Sequence, residues 1–269
     1  MSRYPERIVC LTEETTETLY LLGQGHRVVG VSGYTVRPLE ARQKPRVSAF
    51  ISAKFDKILA LEPDLVLAFS DLQADLAAEL TRRGVAVVTF NQRSIAEILQ
   101  MVRMLGGLVG CQPAAEQLAD RLAAGLDDIA QAALRFPRRR AFFEEWDEPL
   151  ISGIRWVEEL VTIAGADPVF PELAGARLAR DRIVAPDEVA RRDPEVIFAS
   201  WCGKRVRRST ITSRPGWGEV AAVRDGHIFE IPSSLILQPG PASLTDGLAR
   251  IHERLATLHN SSSRIAITS

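Results

Sequence analysis

Apolar residues recur three and four apart over residues 113–134: Leu118, Leu122, Leu126, Ile129 and Ala133 share one helical face, while Glu116, Asp120, Arg121, Asp127 and Asp128 fall mostly elsewhere. Alanine and leucine are strong helix formers, Pro113 suits a first helical turn, and Phe136-Pro137 ends the run. The pattern predicts a helix roughly 30 Å long near the middle of the chain. Before it, short apolar runs alternate with helical ones. Strands are expected at 7–11, 27–32, 65–69 and 85–90, and helices at 12–22, 52–61, 73–83 and 94–106. Thr12 reads as a helix cap, with Glu13 and Glu14 in the first turn. After it the alternation restarts: strands at 140–144, 196–200 and 227–231, helices at 156–164, 187–192 and 242–259.

Residues 57–68, KILALEPDLVLA, are echoed by residues 188–199, EVARRDPEVIFA: short helix, acid-Pro-acid, buried strand. Strands alternating with helices imply parallel sheets covered on both faces. Uninterrupted apolar strands such as 65–69 fit burial on both sides. The fold expected is α/β: two Rossmann-like lobes with mainly parallel sheets, joined by one long α-helix, with a ligand cleft between them. The boundaries are 1–110 for the N-terminal lobe, 111–137 for the linking helix and 138–269 for the C-terminal lobe. Ligands of open α/β sheets bind beyond the carboxyl ends of the strands.

Composition narrows this. A net charge of -1 over 269 residues argues against a general nucleic-acid binder. No run approaches the roughly 18 apolar residues of a membrane span. The first residues carry no signal-peptide pattern, so the chain as written reads as cytoplasmic, and as periplasmic or surface-anchored if a leader has been removed. Cys10, Cys111 and Cys202 imply no disulfide framework. The four histidines have no metal-ligand spacing, and there is neither a nucleophile elbow nor a Gly-rich phosphate loop. No catalytic residue, resident cofactor or metal is expected.

The candidate chemistry lies after the strands. Tyr34 and Arg37 follow the second strand, Phe50 precedes the helix at 52–61, and Phe69 ends the third strand. In the second half, Glu145, Trp146 and Asp147 follow the strand at 140–144, Trp201 follows that at 196–200, and Ser234 lies beyond 227–231. Aromatic faces suit a large, partly apolar ligand. Arg182 reads either as a grip on a polar rim or as part of a solvated loop, and Lys204-Arg-Val-Arg-Arg208 as an anion clamp or a solvated surface. Trp156 and Trp217 are expected as packing.

Residues 7–11 (RIVCL), 16–19 (TETL), 27–31 (RVVGV) and 57–68, continued by 157–160 (VEEL), 193–197 (DPEVI), 214–217 (RPGW) and 222–226 (AVRDG), resemble the ABC-transporter substrate-binding proteins of the helical-backbone class. That class takes in cobalamin- and iron-siderophore-binding proteins, and the nearest branch is the cobalamin-binding one. The resemblance covers nearly the whole chain. It implies a non-catalytic, monomeric binding protein that captures a bulky cofactor-like ligand, cobalamin or another corrinoid, between its lobes. Alternatives are a siderophore or haem binder on the same fold, and a cytoplasmic cofactor-handling protein or enzyme that docks on no transporter. The family's cleft aromatics fall on Tyr34, Phe50, Phe69 and Trp146. Its permease-docking acids would fall near Asp75 and near 204–208, where this chain is basic. The partners implied are a small-molecule ligand and an ABC permease, without nucleic acid or membrane insertion.

Overall fold

A computed structural model describes residues 3–268, with side chains described up to residue 259. The chain divides into two compact units. The first comprises Met1–Gln92, Ala96–Ala123 and Pro239–Pro241, the second Arg93–Ile95, Ala124–Gln238 and Ala242–Ser269. The division falls inside the long helix, between Ala123 and Ala124, where the sequence reading gave that helix a segment of its own.

The first unit runs β1 (Ile8–Cys10), α1 (Glu13–Leu21), β2 (Val28–Ser32), β3 (Arg46–Ala49), β4 (Ser52–Ala53), α2 (Phe55–Leu59), β5 (Leu65–Phe69), α3 (Ala74–Arg82) and β6 (Val87–Phe90). Its sheet has the order β4-β3-β2-β1-β5-β6, parallel throughout except for β4. Every residue of β5 is buried, and Val9, Val47, Val66, Ile58 and Leu80 build the core on this sheet. α4 (Ile95–Leu108) leads into α5 (Gln112–Ala133), the long helix. Gly106 of α4 lies against Ala115 of α5, too close for any side chain on the glycine. The face of α5 carrying Leu118, Leu122, Leu126 and Ala133 is buried, joined by Ala115 and Ala119.

The second unit continues with β7 (Arg139–Asp147), β8 (Leu150–Ser152), α6 (Arg155–Ile163), β9 (Ala166–Pro168), α7 (Pro186–Arg192), β10 (Val196–Ala199), α8 (Arg208–Thr212), α9 (Ala221–Arg224), β11 (Ile228–Glu230), α10 (Ser233–Ile236) and α11 (Leu248–Thr268). Its sheet has the order β11-β10-β7-β8, with β9 parallel to the start of β7 and β8 antiparallel to its end. Phe142, Ile197, Ile228, Trp201 and Trp217 centre its core. Trp156 and Trp217 are buried, as packing requires. Among the described residues no helix is long and apolar enough to cross a membrane.

The repeated acid-Pro-acid segment is repeated in conformation too. Glu62 and Asp193 both take φ of 45°. Asp64 then accepts hydrogen bonds from the backbone N–H of Glu6 and Arg7, and Glu195 accepts from that of Arg140. In return, the N–H of Asp64 donates to Arg7 and that of Glu195 to Arg140. The Arg7 side chain donates to the carbonyl oxygens of Leu61 and Glu62, and that of Arg140 to Asp193. Each unit is thus clasped at the amino ends of its strands by an arginine and two acids.

Several elements differ from expectation. Thr12 does precede α1, but its hydroxyl donates to Glu14 Oε1 at 2.6 Å and caps no backbone N–H. Residues 52–53 are strand, because the turn at Phe50-Ile51 folds them back onto Ser48 and Ala49; the helix begins only at Phe55. β7 runs to Asp147, past the expected end at 144, since Trp146 and Asp147 pair with Ile151 and Leu150. Glu145, Trp146 and Asp147 are therefore strand residues, whereas the sequence reading put them in a loop.

Candidate functional site

Strands β1, β2, β3, β5 and β6 run parallel, so their carboxyl ends share one edge of the first sheet. The segments leaving that edge carry Tyr34 and Arg37 after β2, Phe50 after β3 and Phe69 at the end of β5. Tyr34 is 51% exposed and Phe50 37%, and Ile51 and Leu72 beside them are exposed as well, an unusual apolar set for open solvent. Phe69, by contrast, is buried. Arg37 donates through Nε to Glu17 Oε1 at 3.0 Å.

A buried glutamine holds two of these segments together. Gln73 Nε2 donates to the Phe50 carbonyl at 2.6 Å, and its Oε1 accepts the Phe69 N–H at 2.9 Å. Just after Phe69 the chain takes a positive φ of 63° at Ser70, whose N–H donates to the Phe90 carbonyl. Non-glycine residues adopt that region only when their surroundings hold them there. The sequence reading passed over Gln73; a lone glutamine at a helix start gives no signal of partners 4 and 23 residues away.

The second sheet also has its parallel strands β7, β10 and β11 ending on one edge. Trp146 and Asp147 close β7, Trp201 follows β10, and Ser234 lies in α10 after β11. Trp146 is half-buried, and its Nε1 donates to the Glu148 carbonyl at 2.8 Å. Trp201 is buried with its Nε1 on Glu144 Oε1 at 3.1 Å. Glu144 is in turn gripped by Arg214 in two bonds of 2.7 and 2.9 Å. Burial nonetheless holds the Glu144 carboxyl above its ordinary range, against the pull of Arg214.

Lys204 reaches back over the same edge. Its Nζ lies 2.5 Å from Asp147 Oδ1, 4.1 Å from the Trp146 ring centre and 5.0 Å from that of Trp201. A pocket of about 760 Å³ opens here, lined by Asp147, Trp201, Lys204, Arg205, Val206, Arg207, Thr210 and Glu230.

Behind Trp146 lies a buried ionic cluster. Arg182, 1% exposed, donates to Glu145 Oε2 at 2.6 Å and Oε1 at 2.9 Å, and also to the Ser152 carbonyl. Both side chains of this candidate pair are therefore committed to one another. Glu158 sits in the same cluster with its Oε2 buried and without a hydrogen-bond partner, and burial pushes its carboxyl up to about 8. Asp75 is exposed in the first turn of α3.

Two α/β units with mainly parallel sheets, each carrying aromatic residues at its carboxyl edge, have the architecture of a ligand-binding protein. Residues 8–235 match the periplasmic binding protein family, and the chain belongs to it. It is a substrate-binding protein and not an enzyme. It is 25% identical over 265 residues to an uncharacterized ABC transporter substrate-binding lipoprotein of Bacillus subtilis, covering 95% of this chain and 81% of that protein. It is 26% identical over 246 residues to a vitamin B12-binding protein of Vibrio parahaemolyticus, covering 89% and 86%. The crystal structure of a possible iron-binding (periplasmic solute-binding) protein from Staphylococcus epidermidis superposes with a TM-score of 0.81, at 22% identity and over 94% of this chain and 99% of that one.

Proposed function

We propose that this protein captures a corrinoid for an ABC-type uptake system, working in the periplasm or anchored at the cell surface. The observation that carries the reading is the set of flat and apolar side chains left on the carboxyl edges: Tyr34, Phe50, Ile51 and Leu72 on one sheet and Trp146 on the other. Leaving apolar surface in water is unfavourable, and a broad ring ligand would cover the exposed set on the first sheet. Tyr34 and Phe50 give stacking faces in the first unit, with Phe69 beneath them and Arg37 at the rim. Trp146 gives a face in the second, where the buried Trp201 anchors the same edge, Ser234 gives a polar contact, and the Glu145–Arg182 pair braces the strand that carries Trp146. The similarity to a vitamin B12-binding protein supports a corrinoid as the ring. Asp75 serves as an exposed acid for docking on the permease.

Calorimetric titration with cyanocobalamin, haemin and a ferric hydroxamate siderophore tests the reading. Saturable binding of cyanocobalamin, tighter than the other two and weakened at least about tenfold (1.4 kcal/mol) by Tyr34→Ala or Trp146→Ala, is the expected result. Binding of haemin or the siderophore in its place would overturn the corrinoid assignment.

A further inference from the structure

The segment 204–208 alternates in what its residues do. Lys204 is held by Asp147, the Val206 N–H donates to Glu230 Oε1 at 3.2 Å, and the Arg208 guanidinium donates to the Ile228 carbonyl. Three alternate positions tie the segment to β7 and β11. The two between them, Arg205 and Arg207, line the pocket and are exposed, and their guanidinium groups have no hydrogen bond or ion pair among the described residues. Asp147 is paired with Lys204, and Glu230 accepts the Val206 N–H, a neutral donor that leaves its charge in place. Lys204, Arg205 and Arg207 against Asp147 and Glu230 leave one net positive charge on the pocket wall, beside a tryptophan whose ring is fixed through Glu144 and Arg214.

We propose that this pocket binds an anionic group, a carboxylate or a phosphate carried on the rim of a larger apolar body, through Arg205 and Arg207. The inference rests on the reading of the carboxyl edge as the ligand face, and it adds the charge of the ligand there. A guanidinium presents a planar fork of donors that matches either oxyanion, and a concave wall strengthens the pairing by excluding water. Trp146, half-buried at the same edge with its ring centre 4.1 Å from Lys204 Nζ, offers the apolar face next to the charged rim. Thr210, also on the lining, supplies a hydroxyl donor.

Three corrinoids and one small anion test it: dicyanocobyrinic acid, whose side chains are carboxylates; dicyanocobinamide, whose side chains are amides; cyanocobalamin, which adds a phosphate; and citrate. The expected result is that dicyanocobyrinic acid or cyanocobalamin binds at least about tenfold (1.4 kcal/mol) more tightly than dicyanocobinamide. The advantage shrinks with added salt and disappears in Arg205→Gln/Arg207→Gln, while the dicyanocobinamide affinity of that variant is unchanged. Preference for the cobyrinic acid identifies a carboxylate site, and preference for cyanocobalamin a phosphate site. Equal affinities, or an advantage that survives the double variant, overturn the inference and leave the corrinoid reading intact. If no corrinoid binds, that reading fails, and citrate decides the present one. Saturable quenching of tryptophan fluorescence by citrate that the double variant lacks supports it, and its absence overturns it.

Discussion

Gln73 bridges Phe50 and Phe69, donating to the carbonyl of one at 2.6 Å and accepting from the N–H of the other at 2.9 Å. One side chain therefore sets the spacing of two segments at the carboxyl edge. Gln73→Ala takes the partner from the buried Phe69 N–H and opens the part-buried Phe50 carbonyl to water, at a cost of about 1–3 kcal/mol. The expected outcome is a lower urea midpoint, faster hydrogen exchange at the Phe69 amide and weaker ligand binding, although Gln73 itself is buried. Unchanged exchange at that amide would refute the bridge.

Arg182 and Glu145 form the second prediction. Truncating one partner of a buried pair strands the other charge, and Arg182→Met is expected to destabilise by roughly 3–5 kcal/mol. Glu145→Met on its own also destabilises, and the double variant Glu145→Met/Arg182→Met recovers much of the loss. Denaturant melts of the four proteins give the coupling energy; additive losses would show that the pair contributes nothing as a pair.

Glu158 gives a pH dependence. Burial raises its carboxyl to about 8 in the folded protein, well above the range of an unfolded chain near 4.5. The folded state thus holds a proton that the unfolded state releases, so stability falls as pH rises from about 4.5 to about 8 and is level beyond. Glu158→Gln removes the Glu158 share of that slope, while Glu13, which burial raises to about 7, keeps its own. The variant should match the wild type near pH 4.5 and exceed it at pH 9 by on the order of a few kcal/mol. Parallel stability curves across the range would contradict a carboxyl held protonated by burial.

The cysteines should separate by reactivity. Burial pushes the Cys10 thiol up to about 12, partly opposed by hydrogen bonds with Thr15 and Thr16, and burial also raises Cys111. Cys202 is exposed in the segment after Trp201. A maleimide at neutral pH should modify Cys202 first and leave Cys10 untouched until the protein is unfolded, as read by peptide mass. Early labelling of Cys10 would show that β1 opens in the native state.

Much of the frame was legible because it repeats or runs long. The helix at 113–134 announces itself through Leu118, Leu122 and Leu126, and the doubled acid-Pro-acid segment marks equivalent turns whose left-handed residues, Glu62 and Asp193, do share a conformation. The short strands Arg46–Ala49, Leu150–Ser152 and Ala166–Pro168 were not legible. Three or four residues give no measurable period, and each becomes a strand only because a neighbour offers its ladder. The loss of Leu150–Ser152 also misplaced Trp146, whose strand continues only through that partner. At the edges, Tyr34, Phe69 and Trp201 stand at or just after strand ends, a placement the apolar runs already showed, while Arg182 comes from a turn far from any predicted strand. The anchors behind them were hidden, because Glu144 and Arg214 are 70 residues apart and no local pattern connects them.

The two arginine–acid clasps sit where the strands begin, and the side chains proposed to meet a ligand sit where the strands finish. Inheritance of the scaffold and choice of cargo are therefore written in different parts of the sequence. Loops such as 33–45 or 202–207 can diversify from one descendant to the next without touching the fastenings at Arg7 and Arg140. A lineage built this way can change its diet while keeping its skeleton.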